Sequence, residues 1–175
     1  MSLIKPHAYA ELPEVFYNLQ NWEGFKNPSL VIENAQLKKE MGLQNIEGYK
    51  LLEIFNGSSQ IKTLKPLSMV YAGHQFGQYV EQLGDGRGLL LGQINSSSGL
   101  IDIHLKGAGK TPYSRFGDGR AVLRSVIREY LCGEAMHALS IPTSRALMIV
   151  GSDELVIREK SETAAMLART AKSHI

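Results

Sequence analysis

Gln82-Leu-Gly-Asp-Gly-Arg-Gly88 is a glycine-rich stretch, and a strand-like segment, Ile101-Asp-Ile-His-Leu105, follows it and ends on Lys106. Glycine allows a turn to adopt positive φ and lets the backbone approach a ligand closely. The successive N–H groups of such a turn form a concavity that binds anions. Arg87 and Lys106 would add positive charge. The pattern is typical of folds that hold nucleotide phosphates between a glycine turn and a strand lysine.

The same stretch has an ordinary structural interpretation, because glycine-rich hairpins are common simply as turns. Asp85 would then be a turn former, Arg87 an exposed strand residue, and Lys106 a solvated residue at a strand end. Both interpretations stay open on this stretch alone.

The segments around the glycine stretch predict an antiparallel sheet. Val80–Gly84 and Leu89–Ile94 are short apolar runs on either side of the turn. Leu100–Lys106 alternates apolar and polar residues, which is the period of a half-buried strand whose polar face meets solvent or a ligand. Because the turns between them are short, the three segments are expected to form an antiparallel meander.

A long amphipathic helix is expected next, since apolar residues recur with helical spacing over Arg120–Leu139. Asp118 is a suitable N-cap for it, and Pro142 ends it. The fold class is α+β: an antiparallel twisted sheet with one long packed helix and short N-terminal helices. The other expected elements are helices at Leu12–Tyr17, from the Asn34 cap to Met41, and at Ile46–Phe55, and strands at Arg145–Val150, Glu154–Glu159 and Ala164–Thr170.

Composition narrows the class of protein. The 175 residues carry a net charge of +2 without charge runs, which disfavours blanket binding to nucleic acid. No apolar run approaches the ~20 residues that cross a bilayer, so no membrane partner is expected. Cys132 is the single cysteine, which excludes an internal disulfide and fits a reducing, cytoplasmic location. We expect Cys132 to be a small core residue of the long helix.

Glu129 lies at the edge of the apolar stripe of the predicted helix, from which its carboxylate could reach the sheet. An ion pair with Lys106 would hold the lysine over phosphates, as the equivalent pair does in protein kinases. The position of Glu129 in the helical pattern fits equally well with an ordinary charged residue at the edge of a helix.

Three further motifs favour structural interpretations. Arg120, Arg124 and Arg128 recur along one helix edge, either as a site for phosphate or an acidic partner or, more ordinarily, as a solvated or paired face. His74 has no second histidine or cysteine at ligand spacing, so it is interpreted as structural rather than as a metal ligand. Gly107–Thr111 lacks the spacing of a P-loop, and a Walker site is rejected.

A set of motifs taken together resembles the selenoprotein O family. The resemblance runs from about residue 70 to the end of the chain, and more loosely over the residues before. The matching motifs are Tyr71-Ala-Gly-His-Gln-Phe-Gly77, Gln82-Leu-Gly-Asp-Gly-Arg87, Leu105-Lys-Gly-Ala-Gly109, Thr111-Pro-Tyr-Ser-Arg115, Gly117-Asp-Gly-Arg-Ala-Val-Leu-Arg124, Ile127-Arg-Glu129, Glu134-Ala-Met136, Ile141-Pro-Thr143 and Arg145-Ala-Leu147. Departures are Tyr79-Val-Glu81, where the family usually has tryptophan and proline, and Gly88 in place of alanine.

The resemblance implies a protein-kinase-like fold and the transfer of AMP from ATP to Ser, Thr or Tyr hydroxyls of proteins. ATP would bind in an orientation inverted relative to kinases, so that its phosphate tail needs extra arginines. Glu129 would position Lys106. The residues implied to bind the nucleotide are Gly84, Gly86, Arg87, Lys106, Asp118, Gly119 and Arg169.

The resemblance also implies a division of labour between two lobes. The family's catalytic aspartate and its Mg²⁺ ligands lie in a C-terminal lobe that this chain does not contain, so the chain is expected to be a fragment without transfer activity of its own. Residues 1–69 are expected to form a helical and irregular extension, and residues 70–175 the kinase-like N-lobe. The alternatives are an ATP-dependent protein kinase and a non-catalytic nucleotide-binding or interaction module.

Overall fold

The computed structural model of the protein describes residues 3–58, 64–97 and 99–174. Two short 3₁₀ segments, Ala8–Glu11 and Glu14–Phe16, precede the first strand. The helices and strands in the described ranges are β1 (Tyr17–Leu19), β2 (Ser29–Glu33), α1 (Ala35–Glu40), α2 (Gly48–Phe55), β3 (Leu67–Met69), β4 (Gly73–Gln75), β5 (Gln78–Val80), β6 (Gly88–Ser96), β7 (Gly99–Lys106), β8 (Ala121–Val122), α3 (Leu123–Ala138), β9 (Arg145–Ile157) and β10 (Ser161–Ala171).

One antiparallel sheet organises the molecule, and the predicted α+β class is confirmed. Its strands lie in the order β1-β3-β6-β7-β10-β9-β2. The short strand β8 also pairs with β10 and is not part of this order. β4 and β5 form a separate hairpin. The register sets His104 of β7 opposite Arg169 of β10, and Lys106 opposite Leu167. Polar residues from two neighbouring strands are therefore fixed side by side on one face of the sheet.

The two faces of the sheet are covered by different helices. Leu105 and Met166 belong to the main core, into which α1 and α2 insert their buried leucine, isoleucine and phenylalanine side chains. Leu167 points the other way and packs with Val126 of α3. Because side chains alternate along a strand, Lys106 and Arg169 lie on the α3 side.

The predicted polar face of β7 is buried rather than exposed. Asp102 is 0% exposed and His104 is 2% exposed. Apolar and polar residues alternate along the strand as predicted. The strand is not half-buried, however, since its polar face is buried as well. The polar face is covered by other side chains: His7 and His174 contact Asp102, and Asp85 and Arg169 contact His104.

The predicted three-stranded meander is wrong at its first strand. Val80–Gly84 does not continue as a partner of β6, since the chain turns after Val80 and the neighbour of β6 is β3. The backbone amides of Leu83 and Asp85 donate to the carbonyls of Tyr71 and Met69, respectively. These bonds hold residues 83–85 as an irregular segment.

The long helix begins three residues later than predicted and has a different cap. Ala121 and Val122 pair with β10 as β8, so α3 starts at Leu123. Asp118 accepts a hydrogen bond from the Arg120 amide, but it lies too early in the chain to cap α3. Asn34, by contrast, caps α1 as predicted, with its Oδ1 accepting from the Leu37 amide at 3.0 Å.

Other expectations fail for local reasons. The two strands predicted at Arg145–Val150 and Glu154–Glu159 form one continuous strand, β9, with a bulge between them. Cys132 is exposed, so the expectation of a small core residue is wrong; among the described residues of α3, only Val126 is fully buried. The helix predicted at Leu12–Tyr17 is replaced by the second 3₁₀ segment, Glu14–Phe16, and by the start of β1.

The described residues before residue 70 are part of the same sheet. They contribute β1, β2 and β3, and α1 and α2 fill the main core. In the described residues no helix has both the length and the apolar character needed to cross a membrane.

Candidate functional site

A cavity of about 590 Å³ opens on the α3 side of the sheet, between residues 84–88 (the glycine loop) and residues 107–120 (the connecting loop between β7 and β8). This volume lies in the range of small-molecule sites. The residues lining it include all seven that the sequence assigned to nucleotide binding: Gly84, Gly86, Arg87, Lys106, Asp118, Gly119 and Arg169. Glu129 stands behind them and does not line the cavity. The assigned roles stay predictions; the structure brings the residues together.

The glycine loop is fastened to the connecting loop. The hydroxyls of Thr111 and Ser114 each donate at 2.6 Å, to the carbonyls of Asp85 and Gly86. A Cβ at Gly84 would lie 2.5 Å from the ring of Tyr113, and Gly84 has φ +61°. Gly84 is therefore required by the contact between the two loops, whatever its role toward a ligand.

A single carboxylate organises the two basic groups at the inner end of the cavity. Lys106 Nζ contacts Glu129 Oε2, so the predicted ion pair is present. Arg169 Nη1 donates to the other oxygen, Oε1, at 3.0 Å. Burial alone would raise the pKa of Glu129, but the hydrogen bond from Lys106 and the charge of Arg169 hold that pKa below its usual range. Glu129 is thus ionised and orients both cations.

Asp118 is held by an arginine that sequence reasoning missed. Arg158 donates from Nη1 to Oδ2 at 2.7 Å and from Nη2 to Oδ1 at 2.9 Å. This bidentate pair lowers the pKa of Asp118. The neighbouring Gly119 has φ +72°, and a Cβ there would lie 2.1 Å from the carbonyl carbon of Gly109. Nothing but glycine fits at this crossing of the connecting loop.

A second polar cluster lies deeper in the cavity wall. Asp85 accepts from the Met69 amide and the Tyr71 hydroxyl, both at 3.2 Å, and its Oδ2 is 3.4 Å from His104 Nε2. Burial acts to raise the pKa of Asp85, but these hydrogen bonds and the histidine lower it overall. Burial together with the Asp85 charge raises the pKa of Tyr71 to about 12.

The sequence carried a weak signal for this cluster. Asp85 stands inside the glycine motif, and His104 lies on the polar face of β7, two residues before Lys106. The sequence offers Asp85 only as a turn former of the glycine stretch, and His104 only as a residue of a polar face that meets solvent or a ligand. Their separation along the chain conceals their contact. Tyr71 carried no signal of its own.

The cavity as a whole favours an anionic ligand. Among the described residues that line it, six are lysine or arginine and two are aspartate. Fixed positive charge in a concave wall attracts phosphate-like groups more strongly than the same charge on an open surface. Arg87 is exposed, and no side chain among the described residues pairs with it, so its guanidinium can turn toward a ligand.

Two of the three arginines predicted along the helix edge are paired with carboxylates. Arg120 precedes α3, pairs with Glu154 and lies over the ring of Phe25. Arg124 pairs with Glu162. The paired interpretation is thus the correct one for both residues.

No group of three or more His, Cys, Asp or Glu side chains is arranged to hold a metal ion within residues 3–58, 64–97 and 99–174. The donors present do not fit a Mg²⁺ site, since Glu129 and Asp118 are already paired with basic side chains. A metal that accompanies a nucleotide would need ligands from elsewhere.

Comparison with known proteins gives one consistent result. The family model described as "Protein adenylyltransferase SelO" matches residues 2–175. A relative from Vibrio parahaemolyticus, named protein nucleotidyltransferase YdiU, is 53% identical over 170 residues, which is 97% of this chain and 35% of the relative. Relatives of the same name from Stutzerimonas stutzeri and Myxococcus xanthus are 51% and 50% identical, each over 97% of this chain and 35% of the relative.

The chain therefore spans about a third of the length of these relatives. Within that span, the family match is continuous and includes the glycine loop, Lys106, Glu129 and Arg169. The chain belongs to the SelO family.

Proposed function

We propose that this chain is the nucleotide-binding part of a protein adenylyltransferase, in which ATP supplies AMP to a hydroxyl of a protein substrate. The observation that carries the proposal is the junction at Glu129, where one carboxylate holds Lys106 and Arg169 at the inner end of a cationic cavity. Two fixed cations at the closed end of a cavity suit a phosphate tail pointing inward. The α-phosphate would then face the opening, where an acceptor hydroxyl can approach.

The proposed fold assignment is a protein-kinase-like N-lobe formed by residues 70–175, with residues 1–69 as an extension. It is supported by the antiparallel sheet, the single long helix and the lysine–glutamate pair between them. β1 and β2 of the extension complete the two edges of the sheet, so the extension and the lobe share one core.

The proposed cofactor chemistry places the Mg²⁺ ligands outside this chain. Arg87, Lys106 and Arg169 would bind and orient the phosphates here, while a metal would neutralise the charge that develops during transfer. Proteins that carry accessible hydroxyls are the proposed acceptors, without nucleic acid or membrane partners. A single exposed cysteine is in keeping with a reducing, cytoplasmic setting.

The deciding experiment measures which phosphate of ATP is transferred to protein. The full-length protein is incubated with Mg²⁺ and a protein acceptor, once with ATP labelled at the α-phosphate and once at the γ-phosphate. AMP transfer predicts label in protein from the α-position only. Label from the γ-position only would identify a kinase, which uses the same lysine–glutamate pair, and label from neither would favour a binding module.

A second measurement tests the division of labour. Residues 1–175 alone are expected to bind ATP weakly or not detectably in calorimetry and to transfer no AMP, because one wall of the nucleotide cleft and the metal ligands are absent. Tight ATP binding by residues 1–175 would contradict this part of the proposal.

A further inference from the structure

His104 links the two sides of the cavity wall. On one side its Nε2 lies 3.4 Å from Asp85 Oδ2, and on the other its Nδ1 lies 2.7 Å from Arg169 Nη2. The ring is 2% exposed and stacks on His174 at 5.3 Å between ring centroids. The glycine loop, β7 and β10 are therefore joined through one imidazole.

The sheet register makes this contact a fixed one. His104 and Arg169 are directly opposite residues of neighbouring antiparallel strands, β7 and β10. Directly opposite side chains on one face of a sheet are close enough to touch without any loop adjustment. The Arg169 guanidinium is thus held between two acceptors, His104 Nδ1 and Glu129 Oε1.

The protonation state of the ring follows from its partners. A guanidinium only donates hydrogen bonds, so Nδ1 must carry a lone pair toward Arg169. The proton then lies on Nε2, directed toward the carboxylate of Asp85. A second proton on Nδ1 would point at a guanidinium nitrogen 2.7 Å away and would break the contact.

We propose that His104 is a positioning residue for nucleotide binding: as the neutral Nε2–H tautomer, it fixes the Arg169 guanidinium in the cavity and ties it to Asp85 of the glycine loop. The proposal rests on the proposed function, because it assigns Arg169 to the phosphate tail of the nucleotide. It adds a residue of the cavity wall that acts through Arg169 rather than on the reacting atoms.

The charged surroundings of His104 predict a dependence on pH. Asp85 faces the ring from the glycine loop, Arg169 from β10, His174 from the segment after β10, and Tyr71 approaches through Asp85. Burial is the main cause that lowers the pKa of His104, and Arg169 adds to it. Nucleotide binding is therefore expected to weaken when the pH falls below the ordinary pKa of histidine.

Two near-isosteric variants of His104 distinguish the roles of its two ring nitrogens. His104→Asn keeps an acceptor near the position of Nδ1, whereas His104→Gln keeps a donor near Nε2 and removes the acceptor for Arg169. In the full-length protein we expect His104→Gln to weaken ATP binding about tenfold, a typical effect of losing a hydrogen bond to a charged group. His104→Asn should stay within about twofold of the parent protein and lose the acid-dependent step. His137→Asn, an exposed histidine in the last turn of α3, is the matched control.

A double-mutant cycle removes the ambiguity of a folding defect. If His104 acts through Arg169, His104→Gln should have no further effect on ATP binding in an Arg169→Ala background. Equal losses from His104→Asn and His104→Gln, or additive losses with Arg169→Ala, would overturn the positioning role. Failure of the parent protein to bind ATP would instead overturn the proposed function, and with it this inference. Thermal melting of each variant confirms that the protein is folded.

Discussion

At the scale of single residues, the site depends on one carboxylate that serves two cations. Glu129 receives Lys106 on one oxygen and Arg169 on the other. Each cation keeps the carboxylate ionised, and the carboxylate in turn limits the directions in which both cations point. The sequence indicated the first pair through the position of Glu129 on its helix. It could not indicate that Arg169 shares the same carboxylate, because this requires the pairing of β10 with β7.

The first prediction concerns Lys106. Lys106→Ala removes a cation from the inner end of the cavity and leaves Glu129 with Arg169 alone. ATP binding by the full-length protein should weaken by about tenfold or more. Calorimetry or a competition assay measures the dissociation constant. Lys110→Ala, an exposed lysine of the connecting loop outside this cavity, serves as the control and should bind ATP as the parent does.

At the scale of elements, the connecting loop determines the shape of the glycine loop. Thr111 and Ser114 bond its carbonyls, and Tyr113 covers Gly84. The Gly-Asp-Gly pattern predicted an anion-binding turn and did not indicate what holds its backbone in place. The structure shows a turn whose backbone is already fixed from the side, because two hydroxyls satisfy carbonyls that would otherwise face solvent.

The second prediction compares two glycines with nearly the same backbone angle. Gly119 has φ +72° and a backbone carbonyl in the way of a Cβ, whereas Gly42 has φ +73° and open space around it. Gly42→Ala should reduce the free energy of unfolding by about 1 kcal/mol, the cost of a left-handed alanine. Gly119→Ala should cost about 3 kcal/mol or more, since the clash is added. Chemical denaturation of both variants measures the difference, and equal costs would show that the crossing with Gly109 is not tight.

At the scale of the whole molecule, a buried aspartate joins the two ends of the described chain. His7 Nε2 lies 2.8 Å from Asp102 Oδ1, in an orientation poor for a hydrogen bond, and His174 Nδ1 lies 2.8 Å from Oδ2. Gln93 donates to Oδ1 at 2.9 Å. Burial alone would raise the pKa of Asp102, but these contacts hold it well below its ordinary value.

The third prediction follows from the sign of that shift. A group whose pKa is lower in the folded state stabilises the fold above its unfolded pKa, about 4, and this contribution is lost as the pH falls below that value. Asp102→Asn should lower the free energy of unfolding at pH 7 by about 2–3 kcal/mol, because buried partners lose their acceptor. Its stability should also fall less steeply below pH 4.

Thermal melts from about pH 3 to 7 test this prediction. Asp153→Asn changes an exposed aspartate of β9 and should alter neither the stability at pH 7 nor the slope. A parent protein and an Asp102→Asn variant with the same slope below pH 4 would show that Asp102 does not carry the acid sensitivity.

The sequence by itself determined the α+β class and the helix that presents Glu129, and its family motifs assigned seven of the residues that line the cavity. Hydrophobic periodicity and glycine motifs are local properties, so a single stretch of chain can reveal them. Only the tertiary structure decided that Arg169 shares Glu129, that His104 bridges Arg169 and Asp85, and that the connecting loop fastens the glycine loop. These contacts join residues that are far apart in the chain. Strand order and register bring them together, and no local pattern records either property.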